Sequence, residues 1–106
     1  MVSIEELVQQ LVERGGSDLH ISAGAPPMIR VDGRLVSTEQ EVLNAETTQK
    51  LIYSILDNEQ ILRFEKDMEL DMSFGIAGLG RFRTNAFNQR GTLGAVMRVV
   101  PCEIKV

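Results

Sequence analysis

Apolar residues recur in the first segment at Ile4, Leu7, Val8, Leu11 and Val12, the spacing that lines one face of an α-helix. Its start is marked by Ser3 and Glu6 as an S-x-x-E capping box, with Val2 and Leu7 placed as a hydrophobic staple; Gly15-Gly16 supplies a positive-φ stop. From Ser17 the period falls to two: Leu19 and Ile21 alternate with Asp18, His20 and Ser22, which predicts a half-buried strand broken by Ala23-Gly24-Ala25-Pro26-Pro27. A second run, Met28 to Val31, meets Asp32-Gly33 and returns through Arg34-Leu35-Val36, the pattern of a tight antiparallel hairpin.

Asn44 is placed to cap a helix with the apolar stripe Leu51, Ile52, Ile55 and Leu56; Asp57 with Gln60 caps a shorter one carrying Ile61, Phe64 and Met68. Leu70, Met72, Phe74 and Ile76 then alternate with Glu69, Asp71, Ser73 and Gly75, and Gly78-Leu79-Gly80 turns the chain. The runs Arg81 to Asn88 and Leu93 to Val100, joined through Gln89-Arg90-Gly91-Thr92, read as a last hairpin. Helix, strands, two helices and strands, linked by hairpins rather than crossovers, predict an α+β domain with a mainly antiparallel sheet and flanking helices. With 106 residues there is room for one such domain.

Charge changes this picture in one respect. A net charge of −4 argues against nucleic acid or anionic lipid as the main partner, since both demand a large basic footprint. The charge is uneven, however: residues 39–71 hold nine acids and three bases, and residues 72–106 hold one acid and five bases. A basic C-terminal third on an acidic chain suggests a local anion site, set against the plainer reading of chance surface variation. No run of about 18 apolar residues is present. The start lacks the basic flank and apolar stretch of a signal peptide, and Cys102 has no partner cysteine, so a reducing cytoplasm is expected.

Candidate chemistry narrows quickly. G-x-x-x-x-G-K-[S/T] occurs nowhere, so the chain has no backbone cradle or lysine for nucleotide phosphates, and Gly75, Gly78 and Gly80 fit a strand turn instead. A single histidine, His20, and a single cysteine exclude an ordinary zinc site, leaving His20 a structural or interface role. Glu69 and Asp71 share one strand face, where paired acids are usually plain surface. The arginines carry more. A two-residue turn at Arg90-Gly91, or a four-residue loop over residues 89–92, sets Arg83 directly across from Arg98; a three-residue loop separates them. Like charges so paired are destabilising by some tenths of a kcal/mol unless an anion or an acidic neighbour offsets them, and two guanidinium forks suit a phosphate.

The residues then become specific. Ser17-Asp18-Leu19-His20-Ile21-Ser22-Ala23-Gly24-Ala25-Pro26-Pro27-Met28-Ile29-Arg30-Val31-Asp32-Gly33 resembles the SDLH-x-S-x-G-x-PP-x-x-R-x-x-G signature of the pilus-retraction branch of the secretion ATPase superfamily. The resemblance continues through Leu70-Asp71-Met72-Ser73-Phe74, Gly78 to Asn85, Phe87, Gln89-Arg90-Gly91 and Arg98-Val99-Val100-Pro101, nearly the whole chain. It implies a PAS-like N-terminal domain, spanning 1–106, with about six antiparallel strands. Such a domain is tethered to a RecA-like C-terminal domain and neighbouring subunits in a homohexamer. ATP and Mg²⁺ are then cofactors of the full-length protein, with none expected on this chain alone, which lacks the P-loop and is not expected to hydrolyse ATP. The resemblance further implies type IV pilus retraction and twitching motility, a place at the cytoplasmic face of the bacterial inner membrane through a pilus platform partner, and no nucleic acid. Arg83 and Arg98 align with γ-phosphate-contacting arginines, with Arg81 and Arg90 as accessory candidates in matching stretches. Two alternatives stand beside it: a stand-alone PAS-like ligand or partner module, and the equivalent domain of a pilus-extension or type II secretion ATPase.

Overall fold

A computed structural model describes residues 2–89 and 91–100 of the chain. Along the sequence run α1 (Ile4–Glu13), β1 (Asp18–Ser22), β2 (Met28–Val31), β3 (Arg34–Ser37), α2 (Ala45–Tyr53), α3 (Asn58–Asp67), β4 (Glu69–Ile76), β5 (Gly80–Gln89) and β6 (Thr92–Val100). The strands form one six-stranded sheet in the order β3-β2-β1-β6-β5-β4, every neighbouring pair antiparallel. The α+β class and the antiparallel sheet of six strands agree with the sequence.

Local chemistry explains most boundaries. Asn44 accepts from the Thr47 N–H at 2.8 Å while the Thr47 hydroxyl accepts from the Asn44 N–H at 2.9 Å; Asp57 and Gln60 make the same reciprocal pair at 2.8 and 2.9 Å. The box at α1 is only half formed. Ser3 Oγ accepts from the Glu6 N–H at 3.1 Å, but the Glu6 carboxylate accepts from the Ser3 hydroxyl, at 3.2 Å, rather than from the Ser3 N–H. The Asp32-Gly33 turn has both residues at positive φ, 50° and 81°, the conformation that a two-residue hairpin with the sheet's own twist requires.

Some helix ends differ from the sequence pattern. α2 stops at Tyr53, so Ile55 and Leu56 pack as half-buried turn residues rather than as the end of its stripe. Met68 leaves the stripe of α3 as well: it is the C-cap, left-handed at φ 62° and more than half exposed. At the close of α1 only Gly15 has positive φ, and Gly16 is small for a different reason, since a Cβ there would lie 2.6 Å from Ile29 Cγ2 and 2.8 Å from Leu11 Cδ1.

One face of the sheet makes the core. Leu19, Ile21, Ile29, Phe82 and Met97 meet Leu7, Val8 and Leu11 of α1 and Leu51 of α2; Leu70, Ala86, Leu93 and Ala95 meet Ile52 and Phe64. Each such large side chain contributes roughly 1.5–3 kcal/mol of burial. Because strand side chains alternate, the residues between them point the other way, and among the described residues no helix joins the core from that side of β4, β5 and β6.

Candidate functional site

The uncovered face is a grid of cross-strand rows. One row reads Ser73, Arg83, Arg98, Asp18 and Arg30 across β4, β5, β6, β1 and β2; the next reads Asp71, Asn85, Val96, His20 and Met28. The turn between β5 and β6 has two residues, Gln89 pairing with Thr92, so the register is the one that sets Arg83 directly opposite Arg98. Both arginines are exposed, and among the described residues neither makes a salt bridge or a side-chain hydrogen bond. They line an open cleft of about 390 Å³ with His20, Asp71, Asn85 and Val96.

The neighbouring acids are engaged elsewhere. Asn85 Nδ2 donates to Asp71 Oδ1 at 3.0 Å and, at 3.5 Å, to Glu69 Oε1, so both of these paired acids face an amide and not an arginine. Asp18 Oδ1 accepts from the Ser17 hydroxyl at 2.6 Å; Oδ2 meets His20 Nε2 at 2.6 Å and Arg30 Nε at 3.4 Å. Burial by itself pushes the Asp18 carboxyl up, but the hydrogen bonds from Ser17 and His20, the His20 charge and the Arg30 bond outweigh it and hold the group below its ordinary value. Of the two accessory candidates, Arg81 lies on the same face and donates to Ser73 Oγ at 3.1 Å. Arg90 lies outside the described residues.

Two guanidiniums on directly opposed backbone positions, with the local acids already satisfied, form a cationic site with up to ten N–H donors, five from each arginine. That chemistry fits a phosphate group. It offers no nucleophile and no metal cage, since among the described residues no group of three or more His, Cys, Asp or Glu is placed to hold a metal ion. A second groove, of about 400 Å³, lies between α2, α3 and the last hairpin; Glu46 and Glu65 line it, and Tyr53 donates to Glu65 at 3.2 Å. Its negative sign disfavours an anion. The sequence did not reveal the Ser17–Asp18–His20–Arg30 network, because its closure depends on the register in which β1 pairs with β2. The one available signal was the period-two placement of Asp18 and His20 on one face.

No family-level sequence profile matches the chain. Individual proteins do. The chain is 44% identical over 103 residues to the type IV pilus retraction ATPase PilT of Pseudomonas aeruginosa, a match spanning 97% of this chain and 30% of that protein. It is 35% identical to the type IV pilus ATPase PilU of the same organism, again over 97% of this chain and over 27% of that protein. A crystal structure of the pilus retraction motor PilT with bound ADP superposes with a TM-score of 0.90 at 40% identity, over 99% of this chain and 31% of that one. The ATPase DotB of Legionella pneumophila shares the fold, with a TM-score of 0.78 at 21% identity over 92% of this chain and 28% of that one.

The identity to PilT over 97% of the chain and the superposition on its crystal structure assign this chain to the secretion ATPase family, as an N-terminal domain. The chain spans about a third of the length of the curated relatives it matches. Its similarity to the pilus retraction ATPase PilT, at 44% identity, exceeds that to DotB, at 21%.

Proposed function

We propose that this domain senses nucleotide and couples the ring in a hexameric ATPase that powers type IV pilus retraction and twitching motility. ATP lies between the uncovered sheet face and a RecA-like domain that supplies the P-loop and holds Mg²⁺. Arg83 and Arg98 reach the γ-phosphate, with Arg81 and Arg90 as accessories. The protein works at the cytoplasmic face of the inner membrane through a pilus platform. Among the described residues no helix is long and apolar enough to cross a membrane itself.

The observation that carries this reading is the unpaired cross-strand couple Arg83–Arg98. Like charges directly opposite oppose sheet formation by some tenths of a kcal/mol, and a phosphate bridging the two forks reverses the sign. Both arginines project from the solvent side, so their removal leaves the core intact. In the full-length protein carrying this domain, Arg83→Ala and Arg98→Ala should each reduce ATP turnover roughly 10²–10³-fold while ATP binding weakens less. Steady-state hydrolysis and pilus retraction are measured, with thermal melts as controls. Two folded variants that turn over ATP within about threefold of the parent refute the sensor role.

A further inference from the structure

Arg98 has a carboxylate beside it that it does not use. Asp18 is its register partner on β1, and the bond from the Val99 N–H to the Ser17 carbonyl, 3.3 Å, makes the 17/99 pair hydrogen-bonded. The adjacent 18/98 pair is therefore of the non-hydrogen-bonded kind, in which cross-strand side chains lie closest. An exposed cation facing an aspartate at that position is ordinarily paired. Here the aspartate is turned to His20, Arg30 and Ser17, and no salt bridge joins it to Arg98.

Of its contacts to His20 and Arg30, the one to His20 is the shorter. The carboxyl is held below its ordinary value and so ionised near neutral pH, a state that only accepts hydrogen bonds; His20 Nε2 must carry the proton in the 2.6 Å contact. Arg30 Nε, at 3.4 Å, is a longer partner of the same oxygen and divides its donors with the Gly33 carbonyl, 2.9 Å away. A carboxylate only 12% exposed cannot leave Oδ2 weakly served without a desolvation penalty. Remove the imidazole, and the cations directly across from Asp18 are Arg30 on β2, already a long partner, and Arg98 on β6, which has none among the described residues.

We propose that His20 is a positioning residue: by holding the Asp18 carboxylate, it keeps Arg98 unpaired and available to a terminal nucleotide phosphate. The inference rests on the reading of Arg98 given above. Without His20, Asp18 pairs with Arg98 and competes with the phosphate for the same guanidinium. The competition acts on a ligand bearing a γ-phosphate and spares one that lacks it, a signature that general loosening of the domain does not give.

The test is the affinity of the full-length protein for a non-hydrolysable ATP analogue and for ADP, taken as a ratio. His20→Phe keeps a flat, strand-compatible ring without the donor, and its flanking row residues, Val96 and Met28, are apolar. It should weaken analogue binding about fivefold, the factor set by a partly exposed ion pair, and leave ADP affinity unchanged. Adding Asp18→Asn should restore the ratio to within about twofold, since a neutral amide does not neutralise Arg98, and His20→Gln, which keeps a donor, should match the parent. An unchanged ratio in His20→Phe overturns the proposal. So does a loss that Asp18→Asn fails to reverse, which makes His20 a direct contact of the nucleotide. Arg98→Ala separates the two readings: if it abolishes the preference for the analogue while His20→Phe does not alter it, only the positioning role falls; if Arg98→Ala also leaves the preference intact, the γ-phosphate reading falls with it.

Discussion

Thr84→Val should make the domain more stable. Thr84 sits on the core side of β5, fully buried, between register partners Met72 on β4 and Met97 on β6. Its hydroxyl has no hydrogen-bond partner among the described residues. A buried unsatisfied hydroxyl costs about 1–3 kcal/mol, and valine replaces it with a methyl group of similar size that gains up to about 0.8 kcal/mol of burial. Both residues are β-branched and strand-favouring, so rotamer entropy and backbone preference nearly cancel. Taking the low end of the penalty, a gain of about 1 kcal/mol raises the midpoint of a domain this size by roughly 4–8 °C. Thermal and urea melts of the parent, Thr84→Val and Thr84→Ser measure it; the urea midpoint should move with the slope unchanged. Serine keeps the hydroxyl and loses the methyl group, so it should fall below the parent by about 1 kcal/mol. A valine variant no more stable than the parent refutes the reasoning and shows that the hydroxyl is satisfied.

Three further outcomes are expected. Gly94→Ala places a Cβ 2.7 Å from Phe87 Cε2 and 3.3 Å from the Ile21 carbonyl, so the ring must move, and a loss of about 1–3 kcal/mol by urea melt should be partly recovered on adding Phe87→Leu. Asp18 has its folded-state value depressed, so its ionised form adds stability that is present above the ordinary carboxylate value and lost as pH falls through the lower folded one. Asp18→Asn should therefore flatten the acid limb of a stability-against-pH curve and leave the region above neutrality parallel to the parent; an unaltered acid limb assigns the transition to other carboxylates. The 106-residue chain should show no ATP hydrolysis, because it has no P-loop, and turnover at the rate of a full motor by a preparation free of contaminants contradicts that.

Legibility in the sequence followed the range of the interactions. Caps at Asn44 and Asp57, the Asp32-Gly33 turn and the alternation of β4 depend on residues within a few positions of one another, and all are in place. Helix ends were less legible because tertiary packing sets them: the apolar pattern carried α2 on to Leu56 and α3 to Met68, yet the chain turns at Ser54 and again at Met68 to enter β4. The Arg83–Arg98 pairing was legible up to one unknown, the loop length, and a two-residue turn decides it. What pattern alone could not reach was the meeting of β1 with β6, strands separated by some seventy residues. That meeting sets Asp18 against Arg98 and brings His20 into the cleft.

The same long-range pairing explains how a domain with an acidic balance keeps a cationic site. Asp71 lies on the arginine face and lines the same cleft as Arg83 and Arg98, Glu69 lies farther along that strand, and Asp18 lies in the arginine row itself. Each is given a different partner: Asn85 of the adjacent strand for the two acids of β4, and for Asp18 its own strand's His20 together with Arg30 of β2. The amide and the imidazole serve these carboxylates without drawing on Arg83 or Arg98, and the one guanidinium that Asp18 does meet is that of Arg30. The unmet repulsion between Arg83 and Arg98 is then a small, local cost on the solvated side of the sheet, borne by burial on the other side. On the reading proposed above a bound phosphate relieves it, and the separation of a packed face from a charged one would leave the fold undisturbed by that exchange.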